Sequence, residues 1–137
     1  MALQLRESEV EGIVVVRLNG RLTLGPESAS VQDCFTDLLN RKKTRVVVDL
    51  QDVSFVDSSG LGILILGHSE FQRAGGEMKL LHLNRRHLQL LILTKLSTVF
   101  EAYDDQRAAI DSFFPDRDAK RFDILDFVKS QEKNESS

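Results

Sequence analysis

The run RVVVDL at residues 45–50 constrains the fold of this chain more than any other segment. Its residues do not alternate between apolar and polar types. A strand buried on both faces of a sheet has this pattern, whereas a strand with one face in water alternates. Residues 45–50 therefore predict a central, parallel strand in a sheet that other elements cover.

The segments around this run alternate between strand and helix patterns. Strands are predicted at residues 3–7, 12–19, 45–50, 78–83 and 98–103. Helices are predicted from Pro26 to the basic RKK at residues 41–43, over residues 59–74, after a cap at Asn84, and from Asp104 or Asp105 to Phe114, where Pro115 stops the last helix. The order is β-β-α-β-α-β-α-β-α, and such alternation implies right-handed crossovers. The sequence therefore predicts one α/β domain over residues 1–115, with a mixed, mostly parallel β-sheet covered by about four α-helices.

Residues 116–137 differ in kind from the predicted domain and form a C-terminal extension. Phe122, Leu125 and Val128 are spaced by three residues, which predicts a short amphipathic helix. The final SQEKNESS is typical of a flexible, solvated tail. The helix either packs loosely on the domain or docks a partner.

Charge and composition exclude several classes of function. The net charge of -3 at pH 7 provides no basic field for nucleic acid. The start of the chain is acidic, unlike a signal peptide, and every apolar run is shorter than the ~18 to 20 residues of a membrane span. We therefore expect a cytoplasmic protein with no direct membrane insertion. The single cysteine, Cys34, agrees with a reducing compartment and is interpreted as a small buried residue without a role.

The segment FVDSSGLG at residues 55–62 places an acid, two serines and a glycine between a predicted strand and a predicted helix. The carboxyl end of a strand is where ligands and partners meet an open α/β sheet. One interpretation is structural: Asp57 or Ser58 caps the helix and Gly60 allows close packing. Another is regulatory, because a phosphate on a serine at a helix N-terminus is tolerated by the free N–H groups there while it changes the surface.

Enzymatic and cofactor-binding interpretations lack their motifs. A nucleophile elbow requires G-x-S-x-G, whereas Val56 stands where the first glycine would be and Gly60 follows Ser59 directly. His68, His82 and His87 have no spacing that identifies a catalytic triad. Phosphate-binding and dinucleotide-binding fingerprints and metal-ligand spacings are also missing. We therefore predict no enzyme activity, no cofactor and no metal.

Three segments carry a resemblance to a known family: VVVDLQDVSFVDSSGLGILI, GGEMKLLHLN and LTKLSTVFEAYDD. They resemble the STAS domain of bacterial anti-sigma factor antagonists over roughly residues 3–114. The resemblance implies a partner, an anti-sigma factor that is also a serine kinase of the histidine-kinase-like ATPase fold. The unphosphorylated antagonist binds this kinase and frees the sigma factor; phosphorylation weakens the complex, and a serine phosphatase resets it.

The resemblance also implies roles for individual residues. Ser58, directly after the motif's aspartate, would be the phosphoacceptor. The partner-binding residues would be Asp57, which orients the site, Ser59, which holds the small hydroxyl position of the motif, Gly60 and Leu61 in the contact surface, and Thr23. The chain departs from the family at two positions: Thr23 stands where many members carry Asp, and Lys95 stands where relatives often have Gly.

Three hypotheses of function follow from these observations. The first is a phospho-switch in which Ser58 and the surface of residues 57–61, with the turn at residues 21–25, bind an anti-sigma factor kinase. The alternative is a phosphorylation-independent STAS scaffold or accessory subunit of a transporter or lipid-transport complex, in which Ser58 serves as a cap. The third is a hydrolase using Ser58 or Ser59, which a fluorophosphonate probe would label.

Overall fold

The structure, a computed structural model, describes residues 3–118 and 121–124. The order of its elements is the predicted one. They are β1 (Gln4–Val10), β2 (Ile13–Leu22), α1 (Pro26–Asn40), β3 (Arg45–Val56), α2 (Ser58–Arg73), β4 (Glu77–Leu81), α3 (Arg85–Leu93), β5 (Ala102–Tyr103) and α4 (Gln106–Asp111).

Within the described residues, the strands form one sheet in the order β1-β2-β3-β4-β5. β1 pairs antiparallel with β2, and the remaining pairs are parallel. Apolar residues of α1, α2 and α3 pack on one face of this sheet, and Ala109 and Ile110 of α4 pack on the other. The predicted mixed, mostly parallel sheet covered by four helices is confirmed.

Strand β3 occupies the centre of the sheet, as its sequence pattern predicts. Val46, Val48 and Leu50 belong to the core under the three helices, while Val47 belongs to the core under α4. Each of these side chains is at most 2% exposed. The absence of alternation in RVVVDL therefore reflects burial on both faces.

Several elements end earlier than the sequence predicts: β4 ends at Leu81 and not at Leu83, and α1 ends at Asn40, before the basic residues 41–43. The strand expected at residues 98–103 is reduced to Ala102–Tyr103. The residues before it form a turn at the end of α3 instead, in which the Leu96 N–H donates to the Leu91 carbonyl at 2.7 Å. Lys95, in this turn, has a φ of 61°, a left-handed conformation that glycine adopts more easily. Helix α4 ends at Asp111 and does not reach Pro115.

The described part of the C-terminal extension packs against the domain. The Phe122 N–H donates to the Ala102 carbonyl at 2.9 Å in an antiparallel bridge, and Ile124 is 4% exposed within the larger core. Phe122 thus pairs as a strand residue and not within the helix predicted for it, whereas Leu125, Val128 and the tail lie outside the described residues. The division of the chain at residue 115 stays a prediction.

Helix α3 begins with a reciprocal pair of hydrogen bonds that buries a histidine. The Asn84 side chain accepts the His87 N–H at 2.8 Å, and His87 Nδ1 accepts the Asn84 N–H at 3.1 Å. The ring proton therefore lies on Nε2, which donates to the Val53 carbonyl at 2.9 Å. Burial lowers the pKa of His87, against the opposing effect of the Val53 carbonyl.

This network predicts a loss of stability in mild acid. With the folded pKa below the unfolded value, the unfolded chain binds the additional proton, so stability falls as the pH drops through the unfolded and then the folded pKa. We expect the urea midpoint of the wild type to fall more steeply between pH 7 and pH 5 than that of His87→Gln. Parallel pH profiles for the two proteins would contradict this account.

Within the described residues, no helix combines the length and the apolar composition needed to cross a membrane.

Candidate functional site

The carboxylate of Asp57 connects the N-terminus of α2 with the turn between β2 and α1. Its Oδ1 accepts the Gly60 N–H at 2.9 Å, which makes Asp57 the N-cap. Its Oδ2 accepts the Leu24 N–H at 2.9 Å and so holds the turn between β2 and α1. These bonds, the one from Gly60 foremost, hold the pKa of Asp57 below its usual value. The cap is therefore Asp57 and not Ser58, and the predicted helix start moves from Ser59 to Ser58.

The four residues after Asp57 divide between surface and core. Ser58 is exposed as the first residue of α2, and Ser59 is half-buried. Gly60 and Leu61 are buried, although they were expected in the contact surface. A methyl group on Gly60 would lie 2.2 Å from the Leu22 carbonyl oxygen, and Leu61 is 6% exposed in the larger core. Helical geometry turns Ser58 outward and these two residues onto the sheet.

Thr23 lies in the turn that Asp57 holds, and it is half-buried. Its carbonyl accepts the Ser28 hydroxyl at 2.6 Å, which fixes the start of α1. The next residue, Leu24, is 75% exposed. Leu24 belongs to the turn at residues 21–25 that the sequence analysis included in the binding surface, although it gave this residue no role of its own.

An apolar cleft of about 330 Å³ lies between the end of β3, just before Asp57, and helix α3. Phe55 and Leu93 contribute exposed side chains, 42% and 81% exposed, and Arg21 lies over the Phe55 ring at 5.2 Å. The residues lining the cleft are Phe55, Val56, Arg86, His87, Gln89, Leu90 and Leu93. The cleft was also missed, because residues 55 and 86–93 are distant in sequence.

Further along α2, Ile65 and Leu66 are each 37% exposed. Together with Leu24, Phe55 and Leu93 they are large apolar side chains left in contact with solvent in the described part of the chain. Exposed apolar residues beside small polar ones are typical of protein interfaces. Of these residues, Leu24 lies in the turn that Asp57 holds, and Phe55 precedes Asp57 at the end of β3.

The histidines do not supply a base for either serine. His82 Nδ1 lies 3.0 Å from Asp49 Oδ1, His87 is enclosed in the α3 cap, and the His68 ring packs on Phe100 at 5.3 Å. Burial raises the pKa of the Cys34 thiol to about 11, which keeps it protonated at neutral pH. The described residues include no group of three His, Cys, Asp or Glu side chains arranged to hold a metal ion.

Comparison with known proteins shows the same architecture. The chain is 27% identical over 110 residues to the anti-sigma F factor antagonist of Paenibacillus polymyxa, with 80% of this chain and 94% of that protein covered. The phosphorylated form of the Bacillus cell fate determinant SpoIIAA superposes with a TM-score of 0.63 at 22% identity, covering 81% of this chain and 98% of that one.

A transport-related protein also shares the fold. The sulfate transporter family protein from Wolinella succinogenes superposes with a TM-score of 0.59 at 15% identity, covering 73% of this chain and 83% of that one. The sequence profile of the STAS domain matches residues 5–109, which span the sheet, α1 to α3 and most of α4. The chain therefore belongs to the STAS domain family.

Proposed function

We propose that this protein is a non-enzymatic anti-sigma factor antagonist that is switched by phosphorylation of Ser58. Its partner would be an anti-sigma factor serine kinase of the histidine-kinase-like ATPase fold, and a serine phosphatase would reset it in the cytoplasm. The observation that carries the proposal is the exposure of Ser58 at the first position of α2, beside an aspartate that already serves as the cap. Modification of Ser58 therefore leaves the cap bonds intact.

The electrostatics of this position favour a reversible switch. A phosphate on Ser58 adds ~1.5 to 2 negative charges at a helix N-terminus, where unpaired N–H groups and the helix dipole stabilise it. The same charge would stand next to the Asp57 carboxylate, which follows the exposed Phe55 by two residues and holds the turn that carries the exposed Leu24. A partner that packs on these apolar groups would have to desolvate the phosphate, which weakens the complex.

A second candidate function is a STAS scaffold or accessory subunit of a transport complex. Two observations favour it: the likeness to the Wolinella sulfate transporter family protein, and Thr23, which lacks the charge that many antagonists carry at its position. In that function the partner would bind whatever the charge at position 58.

A capture experiment with variant baits separates the two functions. Wild type, Ser58→Ala and Ser58→Asp would be used with native lysate, and Ser8→Asp would be the control, because Ser8 is an exposed serine on β1. We expect wild type, Ser58→Ala and Ser8→Asp to retain an ATPase-fold kinase that Ser58→Asp releases, because only Ser58→Asp places a charge on the proposed interface. Mass spectrometry identifies the retained proteins.

Equal retention of one partner by all four baits would contradict the switch, and a transport component as that partner would favour the scaffold. Incubating the captured kinase with ATP provides the second measurement. Phosphate should appear on wild type and on Ser8→Asp, and not on Ser58→Ala. Unfolding midpoints of the four baits should agree, since Ser58 contributes no cap bond.

A further inference from the structure

The face of the sheet opposite α2 is only partly covered. Helix α4 covers the half that includes Ile13, Val15 and Val47, where the smaller core lies. The other half carries polar side chains around an open cleft of about 440 Å³. The cleft is lined by Gln4, Leu5, Arg6, Arg17, Asn19 and Asp52.

Two arginines stand directly opposite each other in this cleft. Arg6 of β1 and Arg17 of β2 are cross-strand partners, and both are exposed. Like charges directly opposite each other destabilise a strand pair, and the Asp49 carboxylate compensates the charge of Arg17 only. Within residues 3–118 and 121–124, no carboxylate forms an ion pair with Arg6. An anion between the two guanidinium groups would relieve this repulsion.

A buried carboxylate orients the second arginine. Asp49 is fully buried, and its Oδ2 accepts the Arg17 Nε–H at 3.1 Å. Its Oδ1 accepts the Gln51 N–H at 3.0 Å and lies 3.0 Å from His82 Nδ1. Arg17 donates to Asp49 through Nε, and its side chain is 45% exposed, so its two Nη groups remain available to an anion in the cleft.

A β-bulge adds an acceptor to the cleft. Arg17 pairs with Asp49, but Asn19 pairs with Asp52, where a regular ladder would place Gln51. The additional residue brings the exposed Asp52 next to Asn19, and Gln4 lies across from Asn19 on β1. Bulges of this kind re-aim side chains and are frequent beside functional sites.

We propose that this cleft binds a small phosphate monoester that carries hydroxyl groups. The phosphate lies between Arg6 and Arg17, whose planar guanidinium groups match its oxygens. The hydroxyl groups donate to the Asp52 carboxylate and exchange hydrogen bonds with the amides of Gln4 and Asn19. Asp52 disfavours an anion that has no hydroxyl group, because such an anion would bring negative charge near the carboxylate without donating a hydrogen bond to it. The site is independent of the surface around Ser58, which belongs to the opposite face of the sheet.

The test is a titration of the full chain followed by backbone amide NMR at constant ionic strength. The probes are glycerol 3-phosphate, inorganic phosphate and glycerol. We expect saturable shifts at Gln4, Arg6, Arg17 and Asn19 with glycerol 3-phosphate, with a Kd on the order of 1 mM because the cleft is open and polar. Inorganic phosphate should bind more weakly, and glycerol should produce no shifts.

Variants make the assignment specific. Arg6→Gln should raise the Kd for glycerol 3-phosphate at least tenfold, while Arg73→Gln, a control at an exposed position at the end of α2, should leave it unchanged. Asp52→Asn should tighten inorganic phosphate and reduce the preference for glycerol 3-phosphate. Shifts that do not saturate, that sodium sulfate reproduces equally, or that Arg73→Gln weakens as much as Arg6→Gln would overturn the proposal.

Discussion

Asp49→Ala is expected to lower the free energy of unfolding by about 3 kcal/mol, because three groups lose a shared acceptor. Arg17 Nε, the Gln51 amide and the His82 ring all contact its carboxylate within 3.1 Å, in a strand position that is 0% exposed. The cost falls at the lower end of the range for broken buried pairs, since Arg17 and His82 are partly exposed and water can replace part of the interaction.

Asp52→Ala is the matched control for this change. Asp52 also belongs to β3, but it is exposed. Surface substitutions of this kind usually change stability by no more than about 0.5 kcal/mol. Urea denaturation of the three proteins provides the measurement. If the two variants lose equal stability, the three contacts of the buried Asp49 carboxylate do not stabilise the protein as the structure indicates.

Gly60→Ala is expected to lower the free energy of unfolding by about 3 kcal/mol or more. The added methyl group would lie 2.2 Å from the Leu22 carbonyl oxygen and 2.7 Å from a carbon of the Leu22 side chain. The same carbonyl accepts the Asp57 N–H at 3.2 Å, so α2 can move away from β2 only if this bond is lost. The displacement would also shift Ser58, and the variant should bind the partner more weakly.

Gly62→Ala, two residues further along the same helix, provides the opposite control. A methyl group at Gly62 meets no heavy atom within 4 Å, and the residue is exposed. Alanine is favoured over glycine in a helix interior by roughly 0.5 to 1 kcal/mol, so this variant should be more stable than wild type. Thermal denaturation checks both. If the two variants shift the midpoint in the same direction, the close approach of α2 to β2 at Gly60 is not the constraint we describe.

Local patterns in the sequence determined the order of the elements and the centre of the sheet. An uninterrupted apolar run, helical spacing of apolar residues and capping residues act over a few positions, and so they can be recognised without tertiary information. The same reasoning placed a cap at Asp57 or Ser58 and a serine at the helix start. It failed for residues 98–101, because a turn packed on α3 replaced the strand that their composition favours.

The tertiary structure alone decided which residues of FVDSSGLG face solvent and which other segments join them. Asp57 and not Ser58 caps α2, and its second carboxylate oxygen also accepts the Leu24 N–H, a contact between residues 33 positions apart. Gly60 and Leu61 face the sheet because Leu22 lies under the first turn of α2. Likewise, Arg6, Arg17 and Asp49 meet only through strand pairing. Such contacts depend on how strands and helices pack across the sheet, and no pattern within one segment encodes them.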